Sequence, residues 1–221
     1  SGRPLHWPRL DCGYLRTRHL TLSQSINSAL RTVPAWTIYI VCAVWTAWLF
    51  YLALTGGLGV EPINALEREY GELGLQLLVL GLLVTPLRKW TGVNLLKFRR
   101  AIGVSAFFLV LAHFSVWAVL DVQSLERVWT EIVKRPYVTV GMASFVLMIP
   151  LALTSNNLSV RKLGSAIWRK LHKLTYPIAV LGAVHYLWLA RGFQWEPIIY
   201  LAIIMGLLVA RMKWNRARAM A

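Results

Sequence analysis

Acidic side chains are the scarcest feature of this 221-residue chain: nine Asp and Glu stand against twenty-four Lys and Arg, a formal charge of +15. Charged residues make up 15% of it, where an average globular domain has about 25%, so the composition is that of a membrane protein and excludes a soluble domain. Cysteine is rare as well. Cys12 sits in a polar stretch and Cys42 in an apolar one, which leaves no disulfide framework and no CxxC metal site. CxxCH is absent, and with it covalent attachment of a c-type haem. No GxGxxG follows the last apolar run, so no nicotinamide-binding module is fused there. Residues 1–34 carry Arg3, Arg9, Arg16, Arg18 and Arg31 among Pro, Ser and Thr. They lack the apolar centre of about 7–15 residues that a cleavable signal needs, and read as a mobile, basic cytoplasmic tail. The remaining basic residues form short clusters between apolar runs, which makes anionic lipid the partner and excludes nucleic acid.

What the chain has in quantity is long apolar sequence. Six segments, Ala35–Leu54, Gly71–Leu87, Ala101–Leu120, Tyr137–Leu153, Leu171–Ala190 and Pro197–Met212, approach or reach the ~20 residues of a membrane span. The expected fold is an all-α integral membrane protein, a six-helix transmembrane bundle over residues 35–213 with a short tail at 214–221. Pro136 and Pro197 suit first helical turns and Pro86 falls near a helix end. Charge orients the bundle. The N-terminal tail, Arg88–Arg100, Arg161–Lys173 and Arg211–Arg218 hold nineteen of the twenty-four basic residues, whereas the alternate loops hold eight of the nine acidic ones. Positive charge stays inside, so both termini are expected in the cytoplasm and the loops Thr55–Tyr70, Asp121–Pro136 and Arg191–Glu196 face outward.

Three histidines lie in these apolar segments, and an ionisable group at such depth needs a partner. His172 and His185 are thirteen residues apart, about 20 Å along a helix at ~1.5 Å per residue. His113 follows Arg100 by the same thirteen residues. Helices three and five run in the same direction, so His113 and His185 share the outer level if Arg100 and His172 share the inner one. Two imidazoles on adjacent helices are the ligand set of a bis-histidine b-type haem, held between helices three and five. A single histidine on an apolar helix more often bonds a carbonyl, and only the matched depth of several favours iron. One difficulty is azimuth. Thirteen positions turn a straight helix so that His172 and His185 point about 140° apart, and Pro177 between them is placed to kink it. Gly182, one turn before His185, leaves room for a flat macrocycle, although helix packing explains a glycine equally well.

The order and spacing of GGLGVEP at Gly56–Pro62, LLVTPLRKW at Leu82–Trp90, FRRAIGV at Phe98–Val104, RPYVTVG at Arg135–Gly141, RKLG at Arg161–Gly164, WRKLHKLTYP and HYLW resemble the MsrQ (YedZ) family of the ferric-reductase-like transmembrane superfamily. The resemblance covers Ala35 to Lys213. It implies a subunit of the bacterial inner membrane that passes electrons from the quinone pool through b haem, with FMN as a further cofactor, to a periplasmic molybdopterin-containing methionine sulfoxide reductase, the catalytic partner. By the same resemblance His113 and His185 are axial ligands of the outer haem, and His172 is an inner haem ligand or serves a second cofactor. Where an inner pair would need another histidine on helix three, this chain has Arg99 and Arg100. These arginines suit a haem propionate or an FMN phosphate, although their role as topology determinants explains them too. The acidic residues Glu67, Glu69, Glu126 and Glu131 are expected to steer the outer partner. Two other readings stay open: a non-redox transporter or assembly factor, and a haem subunit with a different periplasmic acceptor.

Overall fold

The computed structural model describes residues 12–190 and 193–219, with side chains at 22–190 and 193–211. Residues 1–11, 191–192 and 220–221, and the side chains of 12–21 and of the residues beyond Arg211, lie outside that description, and with them the first third of the expected N-terminal tail and the side chains of the C-terminal one. Among the described residues every regular element is helical: α1 (Cys12–Thr32), α2 (Thr37–Leu54), α3 (Pro62–Thr91), α4 (Arg99–Ser115), α5 (Leu125–Lys134), α6 (Pro136–Leu153), α7 (Asn157–Leu171), α8 (Thr175–Leu189) and α9 (Trp195–Ala219). Tight 3-10 turns at Leu96–Phe98 and His172–Leu174 lead into α4 and α8, and a π-helical stretch, Val116–Val122, prolongs α4. Four helices are long and apolar enough to cross a membrane: α2, α3, the run Leu96–Val122 and α6. The fifth apolar segment, expected as one helix over Leu171–Ala190, is divided between the end of α7, the His172–Leu174 turn and the 15-residue α8, and the sixth lies in α9.

α3 is the central post, packed on α2, α4, α8 and α9, while α6 leans on α8 and α4. Small residues let these backbones approach: Ala106, Ala179 and Ala183 are fully buried, and a Cβ on Gly74 would lie 2.9 Å from Val110. By contrast α2 buries only Leu49. Its Val41, Val44, Trp45, Trp48 and Tyr51 are exposed, an apolar surface whose natural cover is lipid.

α3 departs from expectation at both ends. It begins at Pro62 rather than Gly71, because proline at the first helical position gives up a donor the helix does not use. Residues 62–70 are thus helix, not loop. Pro86, expected near an end, is buried inside the helix, which runs on to Gly92 with its left-handed φ of 79°. The missing N–H of Pro86 leaves the carbonyl of Leu82 without its helical partner. The buried guanidinium of Arg211 donates to that carbonyl and to Tyr176 Oη at 3.1 Å, tying α9 to α3 and α8.

The segment expected as a mobile tail is helical from Cys12, and its end is docked. Lys97 Nζ donates to the carbonyls of Arg31 at 2.9 Å and Val33 at 2.6 Å, while Asn27 bonds Gly92 O and the Asn94 amide. Two amphipathic helices complete the connections. α5 exposes Leu125, Trp129 and Val133 on one stripe and buries Val128. α7 is capped by Asn156, whose side chain accepts from Ser159 N at 2.7 Å, and kinks at Gly164, φ 75°. The contacts sort the charges to opposite ends. The end of α1, the 92–100 turn and α7 gather at one end, where Arg100 donates to Asn157 at 2.8 Å. At the other, Arg68 of α3 pairs with Glu196 of α9 at 3.5 Å.

Candidate functional site

α4 and α8 present His113 and His185 to a common cavity at the acidic end of the bundle. Their ring centroids are 6.3 Å apart with planes at 77°. Each imidazole is oriented by a backbone carbonyl from a neighbouring helix: His113 Nδ1 lies 2.8 Å from Glu67 O on α3, and His185 Nδ1 lies 2.7 Å from Tyr137 O on α6. A carbonyl only accepts, so both Nδ1 atoms carry the proton and both Nε2 atoms keep a lone pair. This is the arrangement that fixes the tautomer of a metal-ligating histidine.

The spacing can be tested against the group such ligands would hold. A metal–imidazole bond of about 2.0 Å on each side, plus about 1.1 Å from each nitrogen to its ring centre, puts the centroids of two imidazoles on one metal about 6 Å apart. The pair therefore fits a single iron between them. Among the described residues no group of three or more His, Cys, Asp or Glu could hold a bare metal ion, so four equatorial donors must come from elsewhere. A porphyrin is a group that would supply them. The wall suits a flat apolar macrocycle: Leu75, Val110, Phe114, Trp117, Phe145 and Met148.

Two glycines give the imidazoles their room. A Cβ on Gly71 would sit 3.0 Å from the His113 ring, and one on Gly141 would sit 2.8 Å from the His185 ring. The distance at Gly141 is shorter than side chains tolerate and that at Gly71 is tight, so each ring lies close against bare backbone. Gly182, singled out by sequence, lines the same cavity, but a Cβ there would meet Leu75 and Ser144 at ordinary contact distance. The glycine against His185 is Gly141 on α6, two elements away in the chain. Gly71 and Gly141 each sit in an apolar helix, yet only the fold reveals which imidazole each one faces.

His172 lies apart from this pair. It lines a second cavity at the basic end together with Lys97, Arg99, Arg100, Arg169 and Lys173. Arg99, Arg100 and His172 thus share one level, as their counting from the outer histidines requires. The azimuth problem is resolved before Pro177, not at it. His172 belongs to a 3-10 turn and α8 starts only at Thr175, so Pro177 falls in a first turn where its missing N–H is harmless. The His172 ring stacks on Trp168 at 3.9 Å, and its Nε2 is 3.2 Å from Thr154 Oγ1. No second histidine lines this cavity among the described residues. Its donor set does not fit a bis-histidine haem. It does fit an anion, since guanidinium and ammonium groups form charge-assisted bonds to phosphate or carboxylate.

The two cavities adjoin through Leu78 and Met148, which line both. Aromatic rings follow the same wall: Phe107 stacks on Phe145 at 5.9 Å, Phe145 on Phe114 at 5.3 Å, and Phe114 meets Trp117 at 5.9 Å.

Residues 70–183 match the family model of the ferric reductase like transmembrane component; His113 and His172 fall inside that range and His185 two residues beyond it. Relatives from Brucella ovis, Brucella canis and Brucella suis, each named protein-methionine-sulfoxide reductase heme-binding subunit MsrQ, are 48% identical over 185 residues, covering 83% of this chain and 81% of theirs. No solved structure matches the chain. With the family model spanning just over half of the chain and almost half of the aligned residues identical to these relatives, the chain belongs to the MsrQ family of ferric reductase like transmembrane proteins.

Proposed function

We propose that this protein is the membrane electron-transfer subunit of a methionine sulfoxide reductase system, holding a b-type haem between His113 and His185. The observation that carries the reading is the imidazole pair, 6.3 Å apart with each Nδ1 bonded to a carbonyl. Bound there, haem supplies reversible one-electron chemistry. The protein's own contribution is orientation and exclusion. Glu67 O and Tyr137 O hold the Nδ1 protons, so both Nε2 lone pairs stay available. Gly71 and Gly141 leave the rings in place without strain, and the surrounding leucine, methionine and aromatic side chains keep water out.

The inner basic cavity supports an anionic partner group. Arg99 and Arg100, with Lys97 and Lys173, suit the phosphate of FMN or the propionates of a haem seated above, and the Trp168–His172 stack offers an aromatic plane beside them. Six spans, α2, α3, α4, α6, α8 and α9, place both termini on the same side, and the basic end faces the cytoplasm of a bacterial inner membrane. Electrons from the quinone pool then leave at the outer end. The acceptor is a periplasmic molybdopterin-containing catalytic subunit, steered by Glu67, Glu69, Glu126 and Glu131 through interactions that weaken as salt screens them.

The test uses the full chain purified in detergent. It shows a low-spin Soret band that sharpens on reduction, and the reduced haem reoxidises when the catalytic subunit and methionine sulfoxide are added together. A colourless protein that takes up no haem overturns the reading and favours a non-redox membrane role. Haem that stays reduced beside active partner and substrate overturns only the assigned acceptor.

A further inference from the structure

One polar cluster lies outside the haem-ligand set. On α3, Glu72 and Gln76 occupy successive turns, facing Tyr200 of α9. Gln76 Nε2 donates to Glu72 Oε1 at 3.1 Å and to Tyr200 Oη at 2.9 Å, and Tyr200 Oη donates to the same Glu72 oxygen at 3.1 Å. Gln76 is exposed on a helix long and apolar enough to span the membrane. Its amide nitrogen is met by Glu72 and Tyr200, which leaves the amide oxygen to accept from a hydroxyl arriving at that surface. Glu72 is only half-buried and lines the cavity that contains His113 and His185. The cluster therefore opens in two directions, to the outer surface of the α3–α9 seam through Gln76 and to the candidate haem site through Glu72.

Its outer edge is also polar. Arg68, one turn nearer the acidic end, pairs with Glu196 at 3.5 Å, and Tyr186 Oη donates to Glu196 at 3.2 Å. Arg68 and Tyr186 line the same cavity as Glu72, while Glu196 is exposed. A carboxylate in a span, linked to a phenol and an amide, with a charged outlet toward water, is a proton-handling arrangement.

We propose that Glu72, Gln76 and Tyr200 form the site where a lipid-soluble quinol is oxidised. This rests on the reading that quinol is the electron donor, and deepens it by assigning the site. The ligand must partition into hydrocarbon to reach Gln76. It must offer hydroxyls to an amide, a phenol and a carboxylate, and it must lose protons as it loses electrons. A hydroquinone meets all three conditions. Gln76 and Tyr200 position a ring oxygen, and Glu72 accepts its proton. Both O–H bonds of the quinol break. The first proton passes to Glu72 and is released toward Glu196 and the outer water, after which Glu72 accepts the second. The two electrons would pass one at a time to a haem held by His113 and His185 and on to the outward acceptor, which would take the first before the second arrives. The product is the quinone.

The experiment places the haem-loaded, full-length protein in lipid nanodiscs. A photoreactive azido-quinone is expected to label peptides that contain Gln76 or Tyr200, and unlabelled quinol is expected to compete. Labelling confined to the cavity of Arg99, Arg100 and His172, or labelling that quinol does not displace, overturns the site; the second result leaves the α3–α9 seam to lipid headgroups. In stopped flow with a short-chain quinol, Glu72→Gln is expected to slow haem reduction by about tenfold or more, the loss of a positioned proton acceptor. Dithionite should reduce wild type and variant alike, with the same Soret band. Gln76→Leu and Tyr200→Phe keep the test available if Glu72→Gln inserts poorly. Quinol-driven rates at the wild-type level in the variants overturn the proposal. Wild-type haem that dithionite reduces and no quinol does overturns the donor reading itself, and this site with it.

Discussion

The outer and inner cavities share Leu78 and Met148 as walls, yet they hold their polar groups in opposite ways. In the outer cavity two imidazoles are set by backbone carbonyls and backed by glycine, so their positions depend on how α3, α4, α6 and α8 pack. In the inner cavity the polar groups are long cationic side chains around one imidazole already engaged by Thr154 and Trp168. Carbonyl-fixed imidazoles with free Nε2 atoms are suited to coordinate a metal. Flexible cations are suited to neutralise an anion. The difference between the cavities is thus one of bonding type, directional against electrostatic, and it predicts different sensitivities.

The sharpest break comes from removing a ligand. His113→Ala or His185→Ala is expected to abolish the low-spin haem spectrum while the protein still inserts, and His172→Ala is expected to keep that spectrum. Absorption spectra of the three purified variants decide whether the cavities differ as described; a retained low-spin band in both outer variants removes the pairing. A milder probe is Gly141→Val. Its Cβ alone would lie 2.8 Å from His185, so the ring must leave the Tyr137 carbonyl, and the loss of such an orienting contact lowers metal-site affinity by about 10–100-fold. Haem titration measures it. Gly182→Ala, with only ordinary contacts around its Cβ, should change little.

For the inner cavity, Arg99→Gln combined with Arg100→Gln is expected to weaken an anionic ligand by about tenfold or more, since hydrogen bonds to charged groups contribute about 1.5–3 kcal/mol each. Flavin fluorescence on titration with FMN reads this, with haem content unchanged. A fall in haem content instead assigns the arginines to the propionates. The smallest effect concerns the strut that holds α9 to the inner half. Arg211→Leu leaves the Leu82 carbonyl unpaired and is expected to cost about 1–3 kcal/mol of stability. Pro86→Ala restores an N–H to that carbonyl, so the double variant should unfold at a higher temperature than Arg211→Leu alone. Additive losses in the two variants would dissociate Arg211 from Pro86.

Much of this plan is legible along the chain because a bilayer imposes length and charge rules that local sequence must obey. Five of the six expected apolar segments start within four or five residues of the helices that contain them; only the second misses by more. The failures have physical causes. Pro62 begins α3 early because a first-turn proline is free of cost, and the loop thereby becomes helix that brings Glu67 O to His113. Pro86 fails to end the helix because Arg211, distant in sequence, takes over the orphaned carbonyl. The end of the N-terminal segment is ordered by Lys97 and Asn27, whose partners lie more than sixty residues away.

The sequence by itself determines that the chain is helical and apolar, that its charge is sorted to alternate connections, and that His113 and His185 sit at matching depth, because all of these follow from one-dimensional counting of hydropathy, charge and helical rise. Which faces meet is a different kind of fact. That His113 and His185 come within 6.3 Å, that Glu67 and Tyr137 set their tautomers, that Gly71 and Gly141 back them, and that His172 turns to Trp168 instead depends on helix rotation and crossing. Those are fixed by close packing of small residues between non-adjacent helices, and only the tertiary structure decides them.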